Sequence, residues 1–147
     1  MNCAWYKKDF NSEKLSEGKR LILHFGAVDY RAELYINGEY VGKHRGGYTS
    51  FSFDITKYIK EGENSISLCA YDDLRSANQP SGKQSQLLNS VGCSYTRTTG
   101  IWQTVWMEEV SSCHIKNIKM TTEIEPAKLS LIAYLSDSFL AQSLSPK

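Results

Sequence analysis

In Tyr30-Arg-Ala-Glu-Leu-Tyr-Ile-Asn-Gly38 the side chains alternate in character. Ala32, Leu34 and Ile36 fall on one face, and Arg31, Glu33 and Tyr35 on the other. A period of two is the repeat of a β-strand with one buried face. Asn37-Gly38 ends the run with two residues that tolerate positive φ, which a tight hairpin turn demands at both central positions. Glu39 to His44 is therefore expected to return as the second arm of a hairpin.

The same reading extends outward on both sides. Arg20 to Phe25 places Leu21, Leu23 and Phe25 on one face, and Gly26 breaks it. Gly46-Gly47 gives a second break before Tyr48 to Asp54, where Phe51 and Phe53 alternate with Ser50 and Ser52. Asp54 to Lys60 reads as a short helical turn with Asp54 as N-cap. Glu61-Gly-Glu-Asn64 reads as a turn, and Ile66, Leu68 and Ala70 as the next strand. Near the start, Ala4 to Phe10 suggests a short strand. Ile101 to Trp106 alternates again, with Trp102, Thr104 and Trp106 on one face, and closes at Glu108-Glu109-Val110. Cys113 to Ile124 and Leu129 to Leu135 flank a break at Pro126, and Ser136 to Lys147 carries no signal. Short strands with turns between them, and no long helical period, predict an all-β fold, an antiparallel β-sandwich with little helix.

Composition narrows the function classes. The 147 residues are 41% hydrophobic, enough for one ordinary core, and carry a formal net charge of +1. That balance gives no electrostatic reason to expect nucleic acid or an anionic membrane as partner, and the apolar runs are too short to span a bilayer. Cys3, Cys69, Cys93 and Cys113 are scattered without a C-x-x-C pair. They read as ordinary thiols rather than a metal site, with spatial pairing left open. No signal-like start is visible, which with the unpatterned cysteines favours a cytoplasmic reading. His24 and His44 read as strand residues rather than ligands, and no cofactor is expected.

Residues 72–94 are polar and lack either period, and they lead into the hydroxyl-rich Tyr95-Thr-Arg-Thr-Thr99. Long loops of this kind in a compact domain are usually functional or disordered. Both are expected to gather at one edge of the sheet as a binding rim.

Four ordered segments carry a resemblance: Leu23 to Gly38, Gly46 to Thr56, Glu61 to Asn64, and Tyr95 to Trp106. Together they resemble the N-terminal sugar-binding domain of glycoside hydrolase family 2, the β-galactosidase and β-glucuronidase family, from about Trp5 to Val110. The resemblance implies a jelly-roll-like, galactose-binding-domain-like β-sandwich over residues 1–110. It also implies that residues 111–147 begin a second, immunoglobulin-like sandwich, with a catalytic (β/α)8 barrel as docking partner and a β-glycoside as the carbohydrate ligand. Retaining glycosidases use two carboxyl groups about 5–5.5 Å apart. In this family both are barrel glutamates, and no acidic residue here matches them. Asp72-Asp73, Glu61, Glu63 and Glu108-Glu109 read as solvated charges, so the chain alone is expected to be catalytically silent.

By the family pattern Arg-x-x-Gly-Ile, Arg97 matches the arginine. The position where relatives can place an aspartate on the sugar is Ser94. Tyr95, Gln84 and Lys83 sit in the same two loops and complete the substrate-proximal set. Two other classes stay open. One is a stand-alone carbohydrate-binding module with exposed aromatics such as Tyr35, Tyr40 and Tyr48 as a stacking platform. The other is a structural interaction domain with an exposed apolar docking face.

Overall fold

The computed structural model describes residues 3–76 and 78–136; part of the segment 111–147, namely 137–147, lies outside the described residues. In chain order the strands are β1 (Cys3–Ser12), β2 (Lys19–Phe25), β3 (Val28–Asp29), β4 (Arg31–Ile36), β5 (Glu39–Arg45) and β6 (Phe51–Asp54). Then come β7 (Gly62–Tyr71), β8 (Gly100–Ile101), β9 (Val105–Ser111), β10 (Ile115–Glu123) and β11 (Lys128–Leu135). A four-stranded sheet runs β1-β7-β4-β5 and a three-stranded sheet runs β6-β2-β9. Within the named strands every pairing is antiparallel. This is the all-β sandwich that the alternation predicts.

The core is built from alternate residues of both sheets. Ala32, Leu34 and Ile36 of β4 join Leu68 and Ala70 of β7, and Leu23 and Phe25 of β2 face them with Val28 and Ile55. Burying a side chain of this size contributes about 1.5–3 kcal/mol, and seven of the larger ones are almost wholly hidden. The hairpin forms where expected, with Asn37 at φ 53° and Gly38 at φ 84°. Asn37 does more than turn the chain. Its Nδ2 donates to Tyr58 O at 2.9 Å and Asn64 Oδ1 at 2.8 Å, and its Oδ1 accepts from Ser65 N at 2.9 Å. The hairpin tip is thereby tied to the start of β7.

Three expectations need correction. Ile101 to Trp106 is not one strand: β8 ends at Ile101 and β9 starts at Val105. Between them the chain changes ladders, with Trp102 N donating to Ala27 O at 3.4 Å and Thr104 O accepting from Gly26 N at 2.8 Å. Alternating side chains cannot reveal a switch made by backbone bonds to distant residues. Glu61 to Asn64 is mostly strand, because β7 starts at Gly62 and pairs with β1 all the way to Ser12. Asp54 to Lys60 holds only one 3₁₀ turn, Thr56–Tyr58, with Ile55 rather than Asp54 at its N-cap position. Asp54 Oδ1 still accepts from Thr56 N at 3.0 Å.

Both sheets have a common end. Cys3 and Arg31 lie opposite Tyr71, and Arg31 lies opposite Arg45. Phe25 lies opposite Phe51 and Val105. The connections at this end are Gly46 to Ser50, the run 72–99 and Trp102 to Thr104, so the sequence-predicted loops gather here. The β10–β11 hairpin stands apart as a two-stranded sheet and exposes Ile118, Met120, Leu129 and Leu131.

Leu34, on β4 between β7 and β5, is fully buried in the core cluster with Leu23, Phe25 and Leu68. Leu34→Ala should therefore lower the unfolding free energy by about 2–5 kcal/mol, read from urea denaturation, as for other core truncations.

Candidate functional site

The loop run 72–99 has few apolar side chains, so its order at the rim must come from polar bonds. Gln84, 6% exposed, donates from Nε2 to Asp29 Oδ2 at 2.9 Å, and its Oε1 accepts from Thr98 N at 2.8 Å. One amide thus joins β3, the middle of the loop and the Arg97 segment. Asp72 accepts from Gln79 Nε2 and, at 3.1 Å, from Thr99 Oγ1. Tyr95 N donates to Lys83 O at 2.9 Å and Ser85 N to Tyr95 O at 2.7 Å, so the two loops lie side by side. Asp72 is only 3% exposed, which corrects the reading of Asp72-Asp73 as solvated charges. A buried carboxylate needs donors, and Gln79 and Thr99 supply them from positions that sequence spacing does not mark.

Sequence reasoning missed Tyr6. Its hydroxyl donates to Thr99 O and accepts from Ile101 N, both at 3.3 Å, which bolts the end of the loop to β1. Gly100 sits in this bracket at φ 110°, and a β-carbon there would overlap the Tyr6 hydroxyl. The only signal available was the glycine before Ile101, and it named no partner.

The predicted site residues divide into two sets. Gln84 is turned inward as the brace just described. Ser94 is half-buried, with backbone bonds to Val91 in both directions. Lys83 is exposed, and Tyr95 is 46% exposed. Arg97 is half-buried and lines a cavity of about 290 Å³ with Cys3, Ala4, Leu88, Thr96 and Thr99. Among the described residues it makes no hydrogen bond or ion pair, although the residues after it are pinned. A larger apolar cavity of about 440 Å³ opens elsewhere, between the β1 and β9 edges, and is lined by Leu23, Phe25, Leu68 and Trp106. Its lining is mostly apolar, with Tyr6, Lys7 and Lys8 as its polar members, and it contains none of the sequence-predicted site residues, so the rim is the better candidate.

Similarity to known proteins now places this sandwich. Residues 1–109 match the family described as glycosyl hydrolases family 2, sugar binding domain. The chain belongs to that family. The chain is 37% identical over 117 residues to a β-galactosidase of Thermoanaerobacter pseudethanolicus, covering 78% of this chain and 15% of that protein. It is 32% identical over 112 residues to a β-galactosidase of Bacteroides ovatus, covering 76% of this chain and 12% of that one. Among solved structures it is similar to a Bacteroides uniformis β-glucuronidase, with TM-score 0.64 and 27% identity over 81% of this chain and 14% of that one. The chain thus spans less than a fifth of each of these relatives.

Within this family 2 domain the brace has an electrostatic cost. Burial pushes the Asp29 carboxyl above its ordinary value; the Gln84 hydrogen bond opposes that push and the nearby Asp72 charge reinforces it. A carboxyl whose folded-state pKa is raised favours the folded state at low pH. Stability is therefore lost as pH climbs from the ordinary value of 3.8 through the raised one. Asp29→Asn keeps an acceptor for Gln84 and does not titrate. Its stability relative to the parent should rise with pH across that interval and stay level above it, as read by urea denaturation between pH 3.5 and 7. A difference independent of pH would count against a buried, raised Asp29.

The Tyr6 bracket gives a second test. Gly100→Ala should cost at least about 1–3 kcal/mol through backbone strain and the clash with Tyr6. Tyr6→Phe should cost about 1–3 kcal/mol by leaving Thr99 O and Ile101 N unpaired. Both should speed proteolytic cleavage within residues 72–99.

Proposed function

We propose that this chain is the non-catalytic N-terminal sugar-binding domain of a retaining, β-galactosidase-like exo-β-glycosidase. In the whole enzyme it forms one wall of the active-site pocket and docks on a catalytic barrel. The observation that carries the reading is Arg97, a half-buried cation with no partner among the described residues, held on a braced segment at the loop end of the sandwich. Membership of the family and the β-galactosidase and β-glucuronidase names of the relatives support a β-galactoside or β-glucuronide as substrate. On this reading residues 1–110 are the sugar-binding sandwich, and residues 111–147 begin a second, immunoglobulin-like one. The exposed apolar residues of β10 and β11 support a continuation that would cover them.

A stand-alone binding module is less well supported. Tyr35 and Tyr40 lie on the outer face of the four-stranded sheet, with their rings inclined at 63° to each other. Tyr48 lies at the rim, edge-on to Trp102 at 69°. The three do not make one flat platform on which a sugar chain could stack.

The test separates a pocket-wall arginine from an internal brace. In the full-length enzyme Arg97→Ala should lower kcat/KM on aryl β-galactosides or β-glucuronides by about 10–100-fold, the loss of one charge-assisted hydrogen bond. The melting temperature of the sandwich should hardly move. A drop of several degrees with unchanged kcat/KM would make Arg97 a brace and defeat the proposal.

A further inference from the structure

Cys3 and Cys69 stand on neighbouring strands, and their sulfurs are 3.0 Å apart. The register puts Trp5 opposite Cys69 and Cys3 opposite Tyr71, so the cysteines are diagonal neighbours on one face of the β1–β7 ladder. A disulfide needs its sulfurs about 2.05 Å apart, so closure requires a shift of about 1 Å, within reach of side-chain torsions. Both thiols are half-buried. We propose that Cys3 and Cys69 form an oxidative modification site, a cross-strand disulfide closed by exchange with a low-molecular-weight disulfide such as oxidised glutathione.

The environment sets the order of the steps. Burial pushes the Cys69 thiol up to about 11, and the adjoining Cys3 and Glu33 add to the push while Arg31 opposes it. Cys69 is thus disfavoured as the first thiolate, and Cys3, which also lines the rim cavity, is assigned as the entry point. The Cys3 thiolate attacks one sulfur of the oxidant, forming a mixed disulfide and releasing one thiolate. Cys69 then loses its proton and attacks the Cys3 sulfur, releasing the second thiolate. The oxidant gains two electrons and becomes two thiols; the two cysteines lose two electrons and two protons. A thiol of high pKa is intrinsically the stronger nucleophile once deprotonated, and contact with Cys3 compensates for its small thiolate fraction.

The bond would join an edge strand to its single partner. Among the described residues β1 pairs only with β7, and edge strands open most readily. Cys3 also lines the Arg97 cavity, so the cross-link would fix one wall of that cavity. The inference does not depend on the glycosidase reading, since its readout is covalent.

The reduced full chain, treated with oxidised glutathione, should lose two of its four thiols to an internal bond. Peptide mapping without reductant should find a Cys3–Cys69 linked peptide lighter by two hydrogens, and the melting temperature should rise by several degrees and fall back with dithiothreitol. Cys69→Ser should trap glutathione on Cys3, and Cys3→Ser should abolish the linked peptide. Stable glutathione adducts on Cys3 or the exposed Cys93 without the linked peptide would overturn the proposal. So would pairing of Cys3 with Cys93 or Cys113. The mapping of the unmutated chain decides the matter even if a variant fails to fold.

Discussion

The Asp29 carboxylate lies at the junction between the sandwich and its loops. It sits on β3, next to the core residue Val28, and accepts from Gln84 Nε2 at 2.9 Å. Ordering a backbone residue costs about 1–2 kcal/mol, and a polar loop recovers little of that by burying apolar surface. Residues 72–99 must therefore be held by bonds made in places where water cannot compete. Gln84 satisfies this by turning inward and using both ends of its amide, and Asp72 and Tyr6 repeat the device at the two ends of the loop. Each of these groups is expensive to leave unpaired once buried, so the bonds stand or fall together.

This division explains what could be read directly from the chain. The strand Arg31–Ile36 and its turn were legible because a period of two and a pair of positive φ angles are local properties. Ala32, Leu34 and Ile36 are all buried, as their spacing predicts. The break at Trp102–Thr104 was not legible. It is imposed by Ala27, Gly26 and by Gly47, whose carbonyl accepts from Trp102 Nε1 at 2.8 Å. Side chains that alternate across such a crossing look the same as those of a straight strand. The start of β7 was hidden for a related reason. Glu61-Gly-Glu-Asn64 has turn composition, yet pairing with β1 and the Asn64 side-chain bonds to Lys60 and Gly62 extend the strand into it.

For the candidate site, the polarity of residues 72–99 and the family pattern around Arg97 located the rim, but not the direction each side chain takes. In sequence Asp72 reads as a solvated charge and Gln84 as a substrate-proximal loop residue, and both are buried. Their partners lie up to 55 positions away, and no periodicity links residues so far apart. The outer face of the four-stranded sheet was equally silent. The contact of Cys3 with Cys69 follows from the β1–β7 register, which the sequence shows only as two separate alternating runs.

The consequence for Arg97 is a matter of counting donors. Thr98 N is spent on Gln84, Thr99 O on Tyr6, and Thr99 Oγ1 on Asp72. The backbone on the carboxyl side of Arg97 is therefore fixed from three directions, two of them anchored on β1 and at the end of β7. An arginine carries five N–H donors and cannot shed its charge at physiological pH. Held on a fixed backbone and half-shielded from water by Ala4 and Leu88, such a group has already met part of the ordering cost that an anion or hydroxyl would otherwise meet on binding. The braces around it are internally satisfied, so their stability does not require Arg97 to be paired. The rim can thus present a cation that has no partner among the described residues, without weakening the sandwich that positions it.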